Sequence, residues 1–157
     1  MMFKNRLLIG LVAVLVVMAF VNAGWSVQNN VENNSINWVD IEEAQRLGKE
    51  DPRKIFVDVY TDWCGWCKKM DRSTFADESV VNYVNENYYA VKLNAESSKK
   101  ITFNGHEMTE AYLARSLRVS GYPTIVFIDE KFESIRPIPG YRTAVQFKKI
   151  LQDFNND

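Results

Sequence analysis

The chain has 157 residues, 46% of them apolar and 25% charged, with a formal net charge of −1. That length suits one domain able to bury a core of its own, and the composition is that of an ordinary globular protein. A near-neutral balance gives nucleic acid and anionic membrane no electrostatic footing as partners.

The first residues are a different material. Lys4 and Arg6 precede an uncharged run of fifteen residues, Leu7 to Val21, and Val21-Asn22-Ala23 places modest or small side chains before a cut at Gly24. This is the three-part layout of a secretory signal peptide. The competing reading is a membrane anchor, but a spanning helix needs about 20 apolar residues and this run is shorter. Residues 1–23 are therefore expected to be removed. No cysteine lies near the cut, which excludes a lipid-modified anchor, and losing Lys4 and Arg6 moves the net charge from −1 to −3. The expected location is periplasmic or secreted, where the two cysteines would meet an oxidising compartment.

Residues 24–37 are polar, with four Asn between Asn29 and Asn34, and read as a flexible leader to a domain spanning 38–157. Asp40 followed by Glu43 is a capping signal for a helix running to about Lys49. Lys54–Tyr60 is β-branched and aromatic and reads as a buried strand. Cys64 opens the next helix. Phe75–Glu86 reads as helical, Tyr88–Leu93 as a strand, Ser97–Asn104 as a loop or insertion, and Met108–Leu117 as a helix by its apolar spacing. Thr124–Ile128 is a third strand. Asp129–Lys131 is a turn, and Phe132–Ile138 is a fourth strand placed at an edge by Pro137 and Pro139. Thr143–Phe154 closes as a helix. Strands interleaved with helices, then a hairpin and a helix, predict an α/β fold whose central mixed sheet is flanked by helices on both faces.

Cys64-Gly65-Trp66-Cys67 at a strand-to-helix junction is the informative motif. The thiolate is the reactive form of cysteine, and a helix N-terminus favours it through unpaired N–H groups and the helix dipole. Cys64 is thus expected to be the exposed nucleophile and Cys67 the buried resolving thiol. A structural disulfide would close too small a loop to restrain the unfolded chain much. Zinc prefers four ligands, and the chain offers two Cys and one His. Haem attachment wants His where Lys68 stands. No metal or cofactor is expected. Asp58, inside the apolar strand, is expected to be buried with a raised pKa and to exchange a proton with the resolving thiol. Trp63 and Trp66 beside Cys64 are candidates for contact with a partner. Gly121-Tyr122-Pro123-Thr124 reads as a turn before a strand, with the Tyr122–Pro123 bond either cis or trans. His106 reads as a solvated loop residue.

Phe56 to Lys68, from strand to helix start, resembles the thioredoxin superfamily almost position for position, and the likeness extends from Ile55 to Phe154. It implies the thioredoxin fold, with Asp58 as the buried acid, Lys92 as its lysine neighbour, Tyr122-Pro123 as a cis-proline loop lying against the disulfide, and Gly140 as the glycine after the last strand. Asp62-Trp63-Cys64, Lys68-Lys69-Met70 and Ser73-Thr74-Phe75 are similar to the C-terminal domain of DsbD-type reductases. Thr102-Phe103-Asn104-Gly105 and Gly140-Tyr141 are similar to exported thioredoxins linked to sulfur oxidation. The expected function is reduction of protein disulfides. Cys64, Cys67, Asp58 and Lys92 would be catalytic, Trp63, Gly65, Trp66, Tyr122 and Pro123 would hold substrate, and an inner-membrane thiol reductase would donate electrons. The alternatives are a peptide-binding module with an idle cysteine pair and an electron carrier dedicated to one partner.

Overall fold

The computed structural model describes residues 35–156. The expected signal peptide, and the leader up to Asn34, lie outside the described residues. Ser35–Asn37, assigned to the leader by composition, are fastened to the domain. The Asn85 side chain donates to the Ser35 carbonyl and accepts from the Asn37 N–H, and Ile36 is buried.

The elements run β1 (Trp38–Val39), α1 (Ile41–Glu50), β2 (Lys54–Tyr60), α2 (Gly65–Ser73), α3 (Glu78–Asn87), β3 (Tyr88–Asn94), β4 (Lys100–Phe103), β5 (His106–Thr109), α4 (Glu110–Ser116), β6 (Thr124–Ile128), β7 (Ile135–Pro139) and α5 (Ala144–Asn155). Five strands form one sheet in the order β1-β3-β2-β6-β7. β1 and β2 run parallel to β3, while β6 is antiparallel to both β2 and β7. Edge strand β7 carries Pro137 and Pro139, whose missing N–H groups an edge tolerates.

Alternation along β2 divides the core. Ile55, Val57 and Val59 pack with Ile41 and Ala44 of α1 and Leu113 and Leu117 of α4. Phe56 packs on the opposite face with Met70 of α2, Val80 and Val84 of α3, and Phe147 and Leu151 of α5. Side chains two apart share a strand face, so Asp58 lies on the Phe56 side, under α2.

Three expectations are corrected. Residues 100–109 form a hairpin, β4–β5, where a loop and an early helix start were expected. Asn104 and Gly105 make its tight turn with φ of 49° and 79°, and Thr109 caps α4 by accepting the Tyr112 N–H. α3 begins at Glu78 because Asp77 caps it, leaving Phe75 in a preceding turn. β7 begins at Ile135 because the Asp129 carboxylate accepts the N–H groups of Glu133 and Ser134, and Phe132 takes a φ of 60°. Among the described residues no helix is long and apolar enough to cross a membrane.

Candidate active site

β2 is the central strand, and the chain leaves its C-terminal end through Thr61-Asp62-Trp63 to enter α2. Cys64 caps that helix. Its backbone is extended, with φ −70° and ψ 103°, and its Sγ accepts the Cys67 N–H at 3.0 Å. Sulfur occupies the place a Ser or Asp oxygen usually takes, so the helix end aims a donor at the reactive atom. No acidic residue lies in the first turn of α2, and the field at Cys64 favours a thiolate. Cys64 and Cys67 are joined in a disulfide, with Cα atoms 5.3 Å apart. In this oxidised form both cysteines are 3% exposed, so the expected contrast in exposure is not present. The bond draws Cys64 against the first turn of α2. What distinguishes the two residues is backbone position, one at the cap and one inside the helix.

Asp58 is 1% exposed. Parallel register sets Lys92 of β3 beside it, and Lys92 Nζ donates to Asp58 Oδ2 at 3.0 Å. The same ammonium also pairs with Asp71 of α2 and lies over the rings of Trp38, Tyr60 and Phe75. Asp58 Oδ1 is buried and accepts no hydrogen bond from the described residues. Burial raises the Asp58 pKa to about 6, with Lys92 opposing the rise and Asp71 adding to it. Burial also works against the Lys92 charge, but Asp58 and Asp71 together outweigh it and hold its pKa above that of a free lysine. The result is a carboxyl that gains and loses a proton near neutral pH on the face of β2 that supports α2.

Two aromatic pairs rim the disulfide loop. Trp63, 67% exposed, stands edge-on to Tyr122 at 5.9 Å, and its indole N–H donates to the Glu96 carboxylate. Trp66, 56% exposed, rests on Tyr141 at 5.3 Å, with Lys69 Nζ over both rings. The Tyr122–Pro123 bond is cis. The Pro123 carbonyl accepts the Gly140 N–H at 2.7 Å, which ties this loop to the end of β7. Gly140 has φ +91°, a backbone conformation that calls for glycine. A Cβ at Gly65 would meet nothing within 4 Å, which leaves open space beside the cysteines.

The structure thus brings Trp63 together with Tyr122, and Asp58 together with Lys92. His106 lies apart, at the start of β5. Asp71 and Glu96 were not singled out by sequence, and Tyr141 entered only through the Gly140-Tyr141 resemblance, not as a site residue. Asp71 had a sequence signal in its i,i+4 spacing from Cys67 on one helix. Among the described residues no group of His, Cys, Asp or Glu is placed to hold a metal ion.

A thioredoxin fold with this cysteine pair at the start of α2 defines a thiol–disulfide oxidoreductase. The chain belongs to the thioredoxin-like domain family, whose sequence profile matches residues 41–155. It is 34% identical over 106 residues to the thiol:disulfide interchange protein DsbD of Pectobacterium atrosepticum, a match covering 66% of this chain and 17% of that protein. The Yersinia pestis DsbD is 26% identical over 152 residues, covering 91% of this chain and 24% of the relative. The chain therefore spans a quarter or less of these curated relatives. In fold it is similar to a thioredoxin from Thermus thermophilus, with a TM-score of 0.61 and 24% identity over 76% of this chain and 87% of that one. The oxidised DsbD C-terminal domain of Neisseria meningitidis gives a TM-score of 0.56 and 21% identity over 71% and 90%.

Proposed function

We propose that the protein is an exported reductase of protein disulfides, recharged by a membrane thiol reductase. The Cys64 thiolate attacks one sulfur of a substrate disulfide. That S–S bond breaks, a mixed disulfide forms, and the other substrate sulfur leaves as a thiolate. Cys67 gives its proton to Asp58 and attacks the Cys64 sulfur. The second substrate thiolate leaves, and the Cys64–Cys67 disulfide remains. The substrate gains two electrons and the cysteine pair loses two. Lys92 and Asp71 hold Asp58 in its working range. Trp63, Gly65, Trp66, Tyr122 and Pro123 border the path of an extended substrate.

The observation that carries this reading is the buried Asp58 carboxyl, paired to Lys92 on one oxygen and, among the described residues, unpartnered on the other. A structural disulfide or an idle peptide-binding module has no use for a titrating acid on the face that bears α2. The direction follows from charge. Gly65 and Trp66 between the cysteines carry none, and Asp58 and Asp62 place negative charge near the site, while Lys68 and Lys69 pull the other way only weakly as exposed, solvated side chains. A strong oxidant needs the reverse. Export rests on the Lys4–Ala23 segment, and the membrane donor on the absence of a soluble reducing buffer in the periplasm.

Equilibration of the pair with glutathione tests the direction. A potential between roughly −270 and −200 mV is expected, and one near about −120 mV would make the protein a donor of disulfides. Reduction of insulin separates a general reductase from a carrier serving one partner. Intact-mass analysis of exported material should show a chain beginning at Gly24.

A further inference from the structure

The β4–β5 hairpin has two outer edges, and the protein treats them differently. Opposed residues in an antiparallel pair alternate between exchanging hydrogen bonds and turning N–H and C=O outward. Thr102 and Glu107 are directly opposed. The Thr102 N–H donates to the Glu42 carboxylate at 2.9 Å, and its carbonyl accepts from the Gln45 side chain at 2.8 Å. Gln45 also accepts the Asn104 N–H. Both backbone groups of Thr102 therefore point away from β5, and those of Glu107 point away from β4. Side chains of α1 close the β4 edge as a further strand would. The β5 edge instead faces a groove of about 580 Å³ lined by His106, Glu107, Met108, Thr109, Tyr112 and Arg115.

The groove wall has a definite chemistry. Tyr112 on α4 is 55% exposed, and the Arg115 guanidinium lies over its ring at 5.9 Å. The Glu107 carboxylate is matched by Lys100 at 2.9 Å, so Arg115 sets the sign of charge that a ligand meets. An outward-facing strand edge beside a helix offers main-chain pairing on one side and side-chain contacts on the other.

We propose that the β5 edge and α4 form a docking groove for an extended acidic segment of a partner protein, separate from the cysteine pair. The segment adds as a strand along Glu107, sets a carboxylate against Arg115, and lays an apolar side chain on Met108 and Tyr112. Side chains two apart on a strand share a face, and Arg115 lies over Tyr112, so an acidic residue two positions from an apolar one meets these demands.

The test uses the oxidised full-length protein and a cysteine-free octapeptide repeating Glu-Thr-Val-Thr, which puts glutamate and valine on one face, followed by amide NMR. Saturable shifts centred on Glu107, Met108 and Tyr112 are expected, with slowed exchange of the Glu107 N–H. Arg115→Glu should weaken binding by about tenfold or more by reversing the charge. Glu107→Pro removes the outward N–H without taking a ladder bond, and should weaken binding to a similar degree. Neither change should alter insulin reduction. The proposal is overturned if the same peptide with lysine in place of glutamate binds as well, if an octapeptide N-methylated at alternate amides binds as well, or if the shifts centre on Trp63 and Trp66. Concentration-dependent protection of Glu107 without peptide would assign the edge to a second copy of the chain and likewise overturn it.

Discussion

The two faces of β2 share one strand and one depth of burial, yet they are built for different ends. Ile55, Val57 and Val59 face α1 and α4 and join one apolar cluster with them. Phe56 and Asp58 face α2, and there the apolar pattern breaks at a single residue. Asp58 is as buried as its neighbours and carries an ionisable group. A well-packed apolar face adds stability through burial. A buried carboxyl with a raised pKa subtracts from it at neutral pH, and even its ion pair with Lys92 is weak grounds for stability. The comparison separates what holds the sheet together from what the site needs.

The largest effects should fall on the α2 side and leave the fold intact. Cys64→Ser should abolish reduction of insulin. Cys67→Ser should retain attack but accumulate mixed disulfides, visible on non-reducing gels, because the resolving thiol is gone. Trapping by Cys64→Ser in place of Cys67→Ser would reverse the two roles.

On the other side, Leu93→Ala should cost about 2 to 5 kcal/mol by opening a cavity in the α1–α4 core, measured by urea denaturation. The redox potential of the cysteine pair should stay unchanged. A shift in potential together with stability would show that the two faces are not independent.

How far the sequence revealed this division depends on where the physical signal was local. β2 and β6 are legible to the residue, because Lys54–Tyr60, broken only at Asp58 after its opening lysine, and Thr124–Ile128 are β-branched and aromatic runs between turn signals. The β4–β5 hairpin is not. Its strands have four residues each, only Ile101 and Phe103 of β4 are buried, and Met108 suits a helix as well as a strand. The Asn104-Gly105 pair is a hairpin signal, and polar neighbours obscured it. Trp38–Val39 is too short to read as a strand, and its pairing with β3 exists only in the folded chain. Cys64, Cys67 and Asp58 stand out because each breaks a local pattern. Glu96 and Tyr141 do not, since their links to Trp63 and Trp66 depend on loops distant in sequence.

Asp58→Asn should move stability in the opposite direction from Leu93→Ala. The folded pKa of about 6 lies above the value near 3.9 of an unfolded Asp. Between these values the folded protein holds a proton that the unfolded chain releases, so stability falls as pH rises from about 4 to above about 6. Removing the carboxyl removes that fall. The variant should gain on the wild type between pH 4 and 7, by at most about 3 kcal/mol, the equivalent of about two pKa units. Resolution of the mixed disulfide should slow more than its formation. Equal slowing of both steps, or a loss of stability at pH 7, would remove Asp58 from the proton-transfer role.

The smallest effects offer the finest test, because two neighbours push the Asp58 carboxyl in opposite directions. Lys92 favours its charged form by attraction and by a hydrogen bond, while Asp71 disfavours it by repulsion and by sharing the same ammonium. Lys92→Met should raise the pKa at which resolution accelerates above about 6. Asp71→Asn should lower it, since repulsion goes and Lys92 is left to Asp58 alone. Stability should change by less than about 1 kcal/mol in the Asp71 variant, whose carboxylate is 42% exposed and whose pairing is screened by solvent. The measurement is the rate of mixed-disulfide resolution against pH in the two variants, read as the midpoint of the rise. Midpoints that move apart, one up and one down, place Asp58 at the centre of the proton transfer. Midpoints that move together, or stay at the wild-type value in both, would mean that the rise reports another group. The contrast between the two faces of β2 would then be one of packing alone.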